Sequence, residues 1–162
     1  MIHLIVGNTG SGKTTYCNQL KIQNKGIIFS IDMWNKTLYF PDKNETDGLP
    51  WFLERIDRAE EIMQNLILQL ENASTDSILD LGLSKFLHRE KFRKFALNNG
   101  IEVQLHYLDI PKEIRWQRVQ NRNKEKGITF EFEVTIENFN FMETWFEIPT
   151  DEELKNTVII ND

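Results

Sequence analysis

The segment Gly7-Asn8-Thr9-Gly10-Ser11-Gly12-Lys13-Thr14 constrains the fold of this chain more than any other feature. It matches G-x-x-x-x-G-K-[ST], in which glycines let the backbone curl so that successive N–H groups point into one concavity that binds phosphate oxygens. The apolar run Ile2–Val6 precedes the segment, and a helical stretch over about residues 13–21 follows it. A strand, a glycine-rich loop and a helix in this order favour a phosphate-binding loop over a glycine-rich turn without a ligand.

Each part of this loop has an expected role. The helix that follows contributes its positive N-terminal end, Lys13 can reach the β- and γ-phosphates, and the Thr14 hydroxyl can ligate Mg²⁺. The pattern therefore predicts a site for a purine nucleoside triphosphate and Mg²⁺. ATP is favoured over GTP because the sequence lacks the N-K-x-D motif that reads guanine. The predicted nucleotide-binding residues are Gly7, Asn8, Thr9, Gly10, Ser11, Gly12, Lys13, Thr14 and Thr15.

The remainder of the chain alternates between strand and helix patterns. Apolar runs at residues 26–31, 78–81, 103–108 and 157–160 predict four more strands. Helices are expected over about 51–72, before Gly100, from Pro111 to about residue 126, and over 136–146 with Thr135 as a possible N-cap. This alternation predicts an α/β fold with a mostly parallel five-stranded sheet and helices on both faces. Ligands of such sheets bind beyond the carboxyl ends of the strands.

Composition narrows the class of protein. The 162 residues, of which 40% are hydrophobic, suit one domain over residues 1–162. The single cysteine, Cys17, excludes an intramolecular disulfide and a cysteine-rich zinc site, and it is expected to be buried. Apolar runs are far shorter than the ~18 residues of a membrane helix, and the start has no basic segment of a secretory signal. A reduced, cytoplasmic protein is expected, and the net charge of −6 argues against a long nucleic acid as partner.

Asp32 follows the second predicted strand. In an open α/β sheet this position faces the γ-phosphate across the crevice. A carboxylate there can orient an acceptor hydroxyl and take its proton. The alternative is that Asp32 caps the N-terminus of a helix, and position alone favours neither reading.

Three arginines share one face of the helix predicted after Pro111. Arg115, Arg118 and Arg122 are spaced i, i+3 and i+7, and an apolar edge adjoins them. Arginines beside a transferring phosphoryl group stabilise its negative charge. The alternative is an ordinary solvated face. Arg118 and Arg122 are the preferred catalytic pair.

A cluster of aromatic residues surrounds the loop after Asp32. This cluster could form an acidic-rimmed pocket for a small neutral or cationic molecule, or it could close the core under a long loop. Its members are Trp34, Tyr39, Phe40, Trp51 and Phe52, with Asp42, Glu45 and Asp47 in the loop. His3 and His106 lie within predicted strands and are expected to be core residues. The stretch 130–133 and the aromatic last helix are expected to serve packing.

Four segments together resemble a known group. They are the phosphate loop, S-I-D-M-W at 30–34, L-D-L-G at 79–82 and R-W-Q-R-V-Q-N-R-N at 115–123. The combination is similar to small bacterial P-loop kinases, a group with chloramphenicol phosphotransferase, zeta toxins and polynucleotide-kinase-type domains. The closest likeness is to short uncharacterised AAA-family ATP-binding proteins, over about residues 2–147.

This resemblance implies a nucleoside-kinase-like P-loop NTPase fold with an arginine-bearing lid after the fourth strand. It also implies that Asp32 is the general base and that Asp80 ends a Walker B strand and holds Mg²⁺ through water. Thr14 and Asp80 are thus the predicted metal residues, and Asp32, Lys13, Arg118 and Arg122 the predicted catalytic ones.

The expected function is an ATP-dependent kinase that moves the γ-phosphoryl group of Mg·ATP to a hydroxyl of a small molecule, such as an antibiotic or a nucleotide-like acceptor. One alternative is another kinase target, either a nucleotide-sugar, as for a zeta toxin, or a nucleic-acid 5′-hydroxyl. Further alternatives are a nucleotide-dependent switch or binding protein and a protein that sequesters its ligand. The sequence shows no heptad pattern or stripe that would indicate an oligomer.

Overall fold

The computed structural model describes residues 1–127, 130 and 133–161. The packing expected of residues 131 and 132 therefore lies outside the described residues. Five strands form one sheet in the order β2-β3-β1-β4-β5, and every neighbouring pair is parallel. The strands are β1 (Ile2–Val6), β2 (Ile27–Ser30), β3 (Ser77–Asp80), β4 (Val103–Leu108) and β5 (Thr157–Ile160). The predicted α/β class with a parallel sheet is confirmed.

Seven α-helices connect and follow these strands within the described residues. They are α1 (Lys13–Asn24), α2 (Ile31–Trp34), α3 (Leu49–Asn72), α4 (Phe86–Asn98), α5 (Lys112–Glu125), α6 (Ile136–Trp145) and α7 (Asp151–Leu154). Thr135 is the N-cap of α6, as predicted. α2 and α7 were not predicted, because four residues are too few to show a helical period. Within the described ranges, every helix is too short or too polar to span a bilayer.

The segment after α2 departs from the sequence expectation of a loop. α2 continues into a π-helical turn at Asn35–Tyr39 and a 3₁₀ turn at Phe40–Asp42. Trp34 and Tyr39, at the ends of α2 and of the π-helical turn, pack against the core.

Helices cover both faces of the sheet, and the side chains of β1 alternate between the two faces. Ile2, Leu4 and Val6 pack in a core that includes residues of α3 and α4, whereas Ile5 packs with Cys17 and other residues of α1. Burial on both sides explains why β1 is a nearly continuous apolar run, with His3 as its one polar residue. Cys17 is fully buried, as expected, and this burial raises the pKa of its thiol.

A buried polar chain crosses the sheet on the α1 side. His3 and His106, on β1 and β4, are 3% and 4% exposed, and His3 Nδ1 lies 3.0 Å from His106 Nε2. Asp76 lies 3.1 Å from His3, and the Tyr16 hydroxyl lies 2.8 Å from His106. The two histidines are therefore hydrogen-bonded core residues, as the sequence predicts.

The register of the strands brings the loops of interest together. Ser30 of β2 pairs with Asp80 of β3, and Leu4 of β1 pairs with Leu79. Because parallel strands end at the same edge of a sheet, the segments after β1, β2 and β3 meet there. The phosphate loop, Asp32 and Asp80 are positioned by this edge.

Candidate functional site

The phosphate loop has the backbone that its glycines permit. Gly10 and Gly12 have φ angles of +81° and +97°, a left-handed region that side chains rarely adopt. A Cβ on Gly10 would also collide with the carbonyl oxygen of Arg115. Both observations require glycine where the sequence has it, so the loop curls tightly against α5.

Lys13 lies at the centre of this curl. Its ammonium donates a hydrogen bond of 2.8 Å to the Gly7 carbonyl. Burial lowers the pKa of Lys13, and the carboxylates of Asp80 and Asp32 partly counter that effect. The lysine charge is thus held between the loop and two carboxylates, where an incoming phosphate would meet it.

Thr14 and Asp80, the two predicted metal residues, lie next to each other. The Thr14 hydroxyl donates to Asp80 Oδ2 at 3.0 Å, and Asp80 is only 8% exposed at the end of β3. A hydroxyl and a carboxylate are the oxygen ligands that Mg²⁺ prefers, and both face the same cavity as Lys13. The residues present fit a magnesium ion that would sit between them and phosphate oxygens.

Asp32 is exposed at the start of α2 and lines the same cavity. The cap of α2 is Ser30, whose hydroxyl oxygen accepts from the Met33 amide at 3.4 Å. The alternative reading of Asp32 as an N-cap is therefore wrong. Burial lowers the pKa of Lys13 and of Arg122, and the Asp32 carboxylate partly offsets this lowering for both cations.

The arginine face of α5 divides into two parts. Arg118 and Arg122 line the cavity, and Arg118 donates to the Ser11 carbonyl at 3.1 Å. Arg122 is half-buried, which lowers its pKa, and its Nε has no hydrogen-bond partner among the described residues. Arg115 is 7% exposed and points away from the cavity. The single shared stripe expected from sequence is therefore wrong for Arg115.

Arg115 instead belongs to a network that joins the loop to α6, which we call the Glu143 network. Glu143 accepts from Nη1 and Nη2 of Arg115, at 2.6 and 3.0 Å, and from the Asn8 side-chain amide at 2.6 Å. Asn8 in turn accepts from the Thr9 amide at 2.7 Å, and Arg115 donates to the Thr9 carbonyl at 3.3 Å. Sequence reasoning missed Glu143, because 135 positions separate it from Asn8.

These residues surround a cavity of about 580 Å³. The loop, the cations and the carboxylates line part of it. The remaining lining is mostly apolar and was not predicted to line a site; it includes Val119, Val134, Asn138, Phe141 and Met142.

The aromatic cluster after Asp32 does not line this cavity. Trp34 and Tyr39 pack against the core, while Phe52 makes edge-to-face contacts with Phe40 and Trp51 at ring-centroid distances of 5.7 and 5.0 Å. The acidic rim also has a local role, since Asp47 accepts from the Asn44 amide at 2.7 Å. Of the two alternatives for this cluster, the core-closing one holds for Trp34 and Tyr39, and none of the five aromatic residues lines this cavity.

Comparisons with known proteins agree with this architecture. A family model described as an AAA domain matches residues 2–149. A search of curated proteins found no matching sequence. Among solved structures, Chaetomium thermophilum Kti12 in complex with ADP-AlF3 is 15% identical with a TM-score of 0.69, and the match covers 99% of this chain and 89% of that one.

Two kinases have similar folds at comparable identity. The Mycobacterium tuberculosis APS kinase CysC, in complex with AMPPNP and APS, is 16% identical with a TM-score of 0.64, over 99% of this chain and 87% of that one. A gluconokinase from Sinorhizobium meliloti 1021 is 13% identical with a TM-score of 0.63, over 98% of this chain and 81% of that one. At these identities the likeness establishes a P-loop NTPase fold of the kinase type.

Proposed function

The chain belongs to the AAA domain family, and on that premise we propose that it is an ATP-dependent kinase that phosphorylates a hydroxyl group of a small molecule. The observation that carries this proposal is the position of Asp32. Its carboxylate lines the same cavity as Lys13 and Arg122, and Ser30 takes the capping role that would otherwise explain it. A protein that only binds a nucleotide requires no carboxylate on this side of the phosphate loop.

Nucleotide binding uses the loop, α1 and their cations. Backbone N–H groups of residues 7–15 and the N-terminal end of α1 surround the phosphates, and Lys13 exchanges its bond to the Gly7 carbonyl for one to a phosphate oxygen. Thr14 and Asp80 would hold Mg²⁺, directly or through water. Bound Mg²⁺ neutralises charge on the β- and γ-phosphate oxygens.

Transfer then requires a base and charge stabilisation. Asp32 accepts the proton of the acceptor hydroxyl, whose oxygen forms a bond to the γ-phosphorus while the bond from that phosphorus to the β,γ-bridging oxygen breaks. The products are ADP and a phosphorylated acceptor, with the proton on Asp32. Arg118 and Arg122 stabilise the negative charge on the transferring group.

We assign this activity to residues 1–162 as one domain acting in the cytoplasm. Pairing of β5 with β4 ties the last strand into the same sheet as the phosphate loop. The single cysteine suits a reducing compartment.

A nucleotide-dependent switch is the second candidate, and the Glu143 network favours it. Asn8 and Arg115 tie Glu143 of α6 to the loop, so a loop that rearranges around a nucleotide would move α6 with it. A switch needs this coupling but no acceptor base.

Replacing Asp32 by Asn distinguishes the two functions. We expect Asp32→Asn to lower phosphoryl transfer by about 10²–10⁴-fold, with ATP affinity within about twofold of wild type because the amide keeps the shape of the side chain and every loop residue is retained. Transfer would be measured as acceptor-stimulated ADP release, and affinity by equilibrium binding of ATP. The matched control is Asp42→Asn, an exposed carboxylate on the same segment that does not line the cavity. Unchanged transfer in Asp32→Asn would contradict the kinase mechanism.

A further inference from the structure

One face of α6 forms a wall of the cavity. Asn138, Phe141 and Met142 are spaced i, i+3 and i+4, so they share that face, and all three line the cavity. Phe141 lies at the edge of the cavity, and its side chain is 52% exposed. A molecule bound in the cavity could cover this side chain at little cost. Its ring stacks on Trp145 with a centroid distance of 5.6 Å and an angle of 26° between the planes. This neighbour fixes the orientation of an aromatic surface that remains open.

This wall shares the cavity with residues that would meet the acceptor. The segment after α6 is tied to the segment after β3: the Glu147 amide donates to the Ser84 carbonyl at 2.8 Å, and the Phe86 amide donates to the Glu147 carboxylate at 2.7 Å. Ser84 and Asp32, from the segments after β3 and β2, line the same cavity. None of the described lining residues comes from the segments directly after β4 or β5. Phe141 therefore borders the same cavity as Asp32 and Ser84.

The charges of the cavity restrict the acceptor further. Among the described lining residues, the cations are Lys13, Arg118 and Arg122, and the triphosphate requires these three. The nearby Lys85 does not line the cavity; it is paired with Glu147 at 3.2 Å and lies over Trp145. An acceptor with its own phosphate or carboxylate would meet Asp32 and an apolar wall without a compensating cation, which is costly.

We propose that the acceptor is an uncharged alcohol that carries a planar ring, and that this ring stacks on Phe141 while the Asn138 amide hydrogen-bonds to its polar edge. The inference rests on the proposed kinase activity and names the substrate class of the same site. Aromatic stacking supplies affinity without net charge, and an amide can both donate and accept. The hydroxyl of the bound alcohol would then extend from the ring towards Asp32 and the γ-phosphate.

A matched panel of acceptors tests this class directly. Uridine and chloramphenicol are neutral alcohols with a planar ring, UDP-N-acetylglucosamine adds a diphosphate to uridine, and N-acetylglucosamine is neutral without a planar ring. We expect ADP release with ATP to be stimulated by at least one of the first two and not by the last two, with ³¹P NMR identifying the phosphorylated product. Stimulation by UDP-N-acetylglucosamine or N-acetylglucosamine alone would overturn the inference while leaving the kinase activity intact.

Variants of α6 test the assigned surface. For a ring-bearing acceptor, Phe141→Ala should raise the acceptor KM about tenfold or more, as expected for loss of base stacking, with kcat and ATP affinity within about twofold. The control is Ile136→Ala, an exposed apolar residue on the same helix that does not line the cavity. An acceptor KM that is equal in both variants would overturn the role of Phe141.

Direct binding separates failure of the inference from failure of the kinase proposal. Saturation-transfer NMR would measure binding of uridine and chloramphenicol to the wild type and to Phe141→Ala in the presence of Mg²⁺ and ADP. Binding that depends on Phe141 without any ATP turnover would support the ring site and contradict the kinase activity. Absence of both binding and turnover for these two neutral compounds would overturn the inference.

Discussion

At the scale of single residues, the chemistry of the site depends on a few oxygen and nitrogen atoms placed within hydrogen-bond distance. Thr14 and Asp80 are 66 positions apart in sequence and 3.0 Å apart in the fold. Burial lowers the pKa of Lys13, and Asp80 partly offsets this lowering, so one carboxylate affects both the candidate metal site and the loop lysine.

We expect Asp80→Asn to weaken binding of a divalent cation in the presence of ATP by about tenfold or more, because an amide oxygen carries no net charge to attract the ion. Electron paramagnetic resonance of Mn²⁺ in the presence of ATP would measure this affinity without relying on turnover. Asp57→Asn serves as a control, since Asp57 is an exposed carboxylate of α3 paired with Lys91. Equal Mn²⁺ affinity in both variants would argue against a metal role for Asp80.

At the scale of secondary-structure elements, residues of α5 and α6 contact the phosphate loop and support its conformation. Arg115 on α5 is 7% exposed, and its carbonyl lies against Gly10, while its guanidinium binds Glu143 on α6. The loop conformation therefore depends on the packing of two helices as well as on its own glycines.

Glu143→Gln removes the charge from this contact while keeping the shape of the side chain. We expect the free energy of unfolding to fall by about 1–3 kcal/mol, the usual cost of losing hydrogen bonds to a charged, largely buried partner. ATP affinity should fall as well, because Asn8 and Thr9 lose their fixed geometry. Urea denaturation and equilibrium ATP binding measure the two effects.

The control for this element is Glu152→Gln. Glu152 forms an exposed ion pair with Lys155, and such pairs contribute at most about 1 kcal/mol. A stability loss in Glu143→Gln no larger than that of the control, together with unchanged ATP affinity, would refute a role for the Glu143 network in holding the loop.

At the scale of the whole molecule, both faces of the sheet bury polar groups. The α3 and α4 side buries Arg89 paired with Glu153 beside a large apolar core, and the α1 side buries the His3–His106 pair. Burial, together with the neighbouring His3, lowers the pKa of His106 to about 4 from an ordinary value of 6.5.

This shift predicts a dependence of stability on pH. The unfolded chain binds a proton at His106 below about pH 6.5, but the folded protein does so only near pH 4. The contribution is therefore fully present above pH 6.5 and is lost as the pH falls towards 4. Between pH 7 and pH 5 we expect His106 to account for a loss of about 2 kcal/mol in the free energy of unfolding.

Urea denaturation of the wild type and of His106→Asn at the two pH values would measure this loss. The variant has no ionisable group at this position, so its stability should change less between pH 7 and pH 5. An identical pH dependence in both proteins would show that His106 does not carry the effect.

Much of the architecture could be predicted from local sequence patterns. The bounds of β1, β4 and β5 agree with the runs that predicted them. β1 and β4 lie inside the parallel sheet, where mostly apolar residues are expected, whereas β5 is an edge strand and leaves Val158 and Ile159 exposed. The short helices α2 and α7 and the π-helical turn escaped prediction, because their formation depends on caps and packing rather than on periodicity.

The sequence by itself determined the phosphate loop, the order of strands and helices, and the residue types of the site at Lys13, Thr14, Asp32 and Asp80. These follow from backbone sterics at glycine, from apolar periodicity and from the chemistry of charged side chains, all of which act over a few neighbouring residues.

Only the tertiary structure decided how the arginines divide between the cavity and Glu143, that Phe141 lines the cavity, and that Trp34 and Tyr39 pack against the core. Helical spacing assigns a residue to a face of its own helix but not to a partner. The partner depends on how helices distant in sequence pack together, where burial and charge pairing compete across the whole molecule.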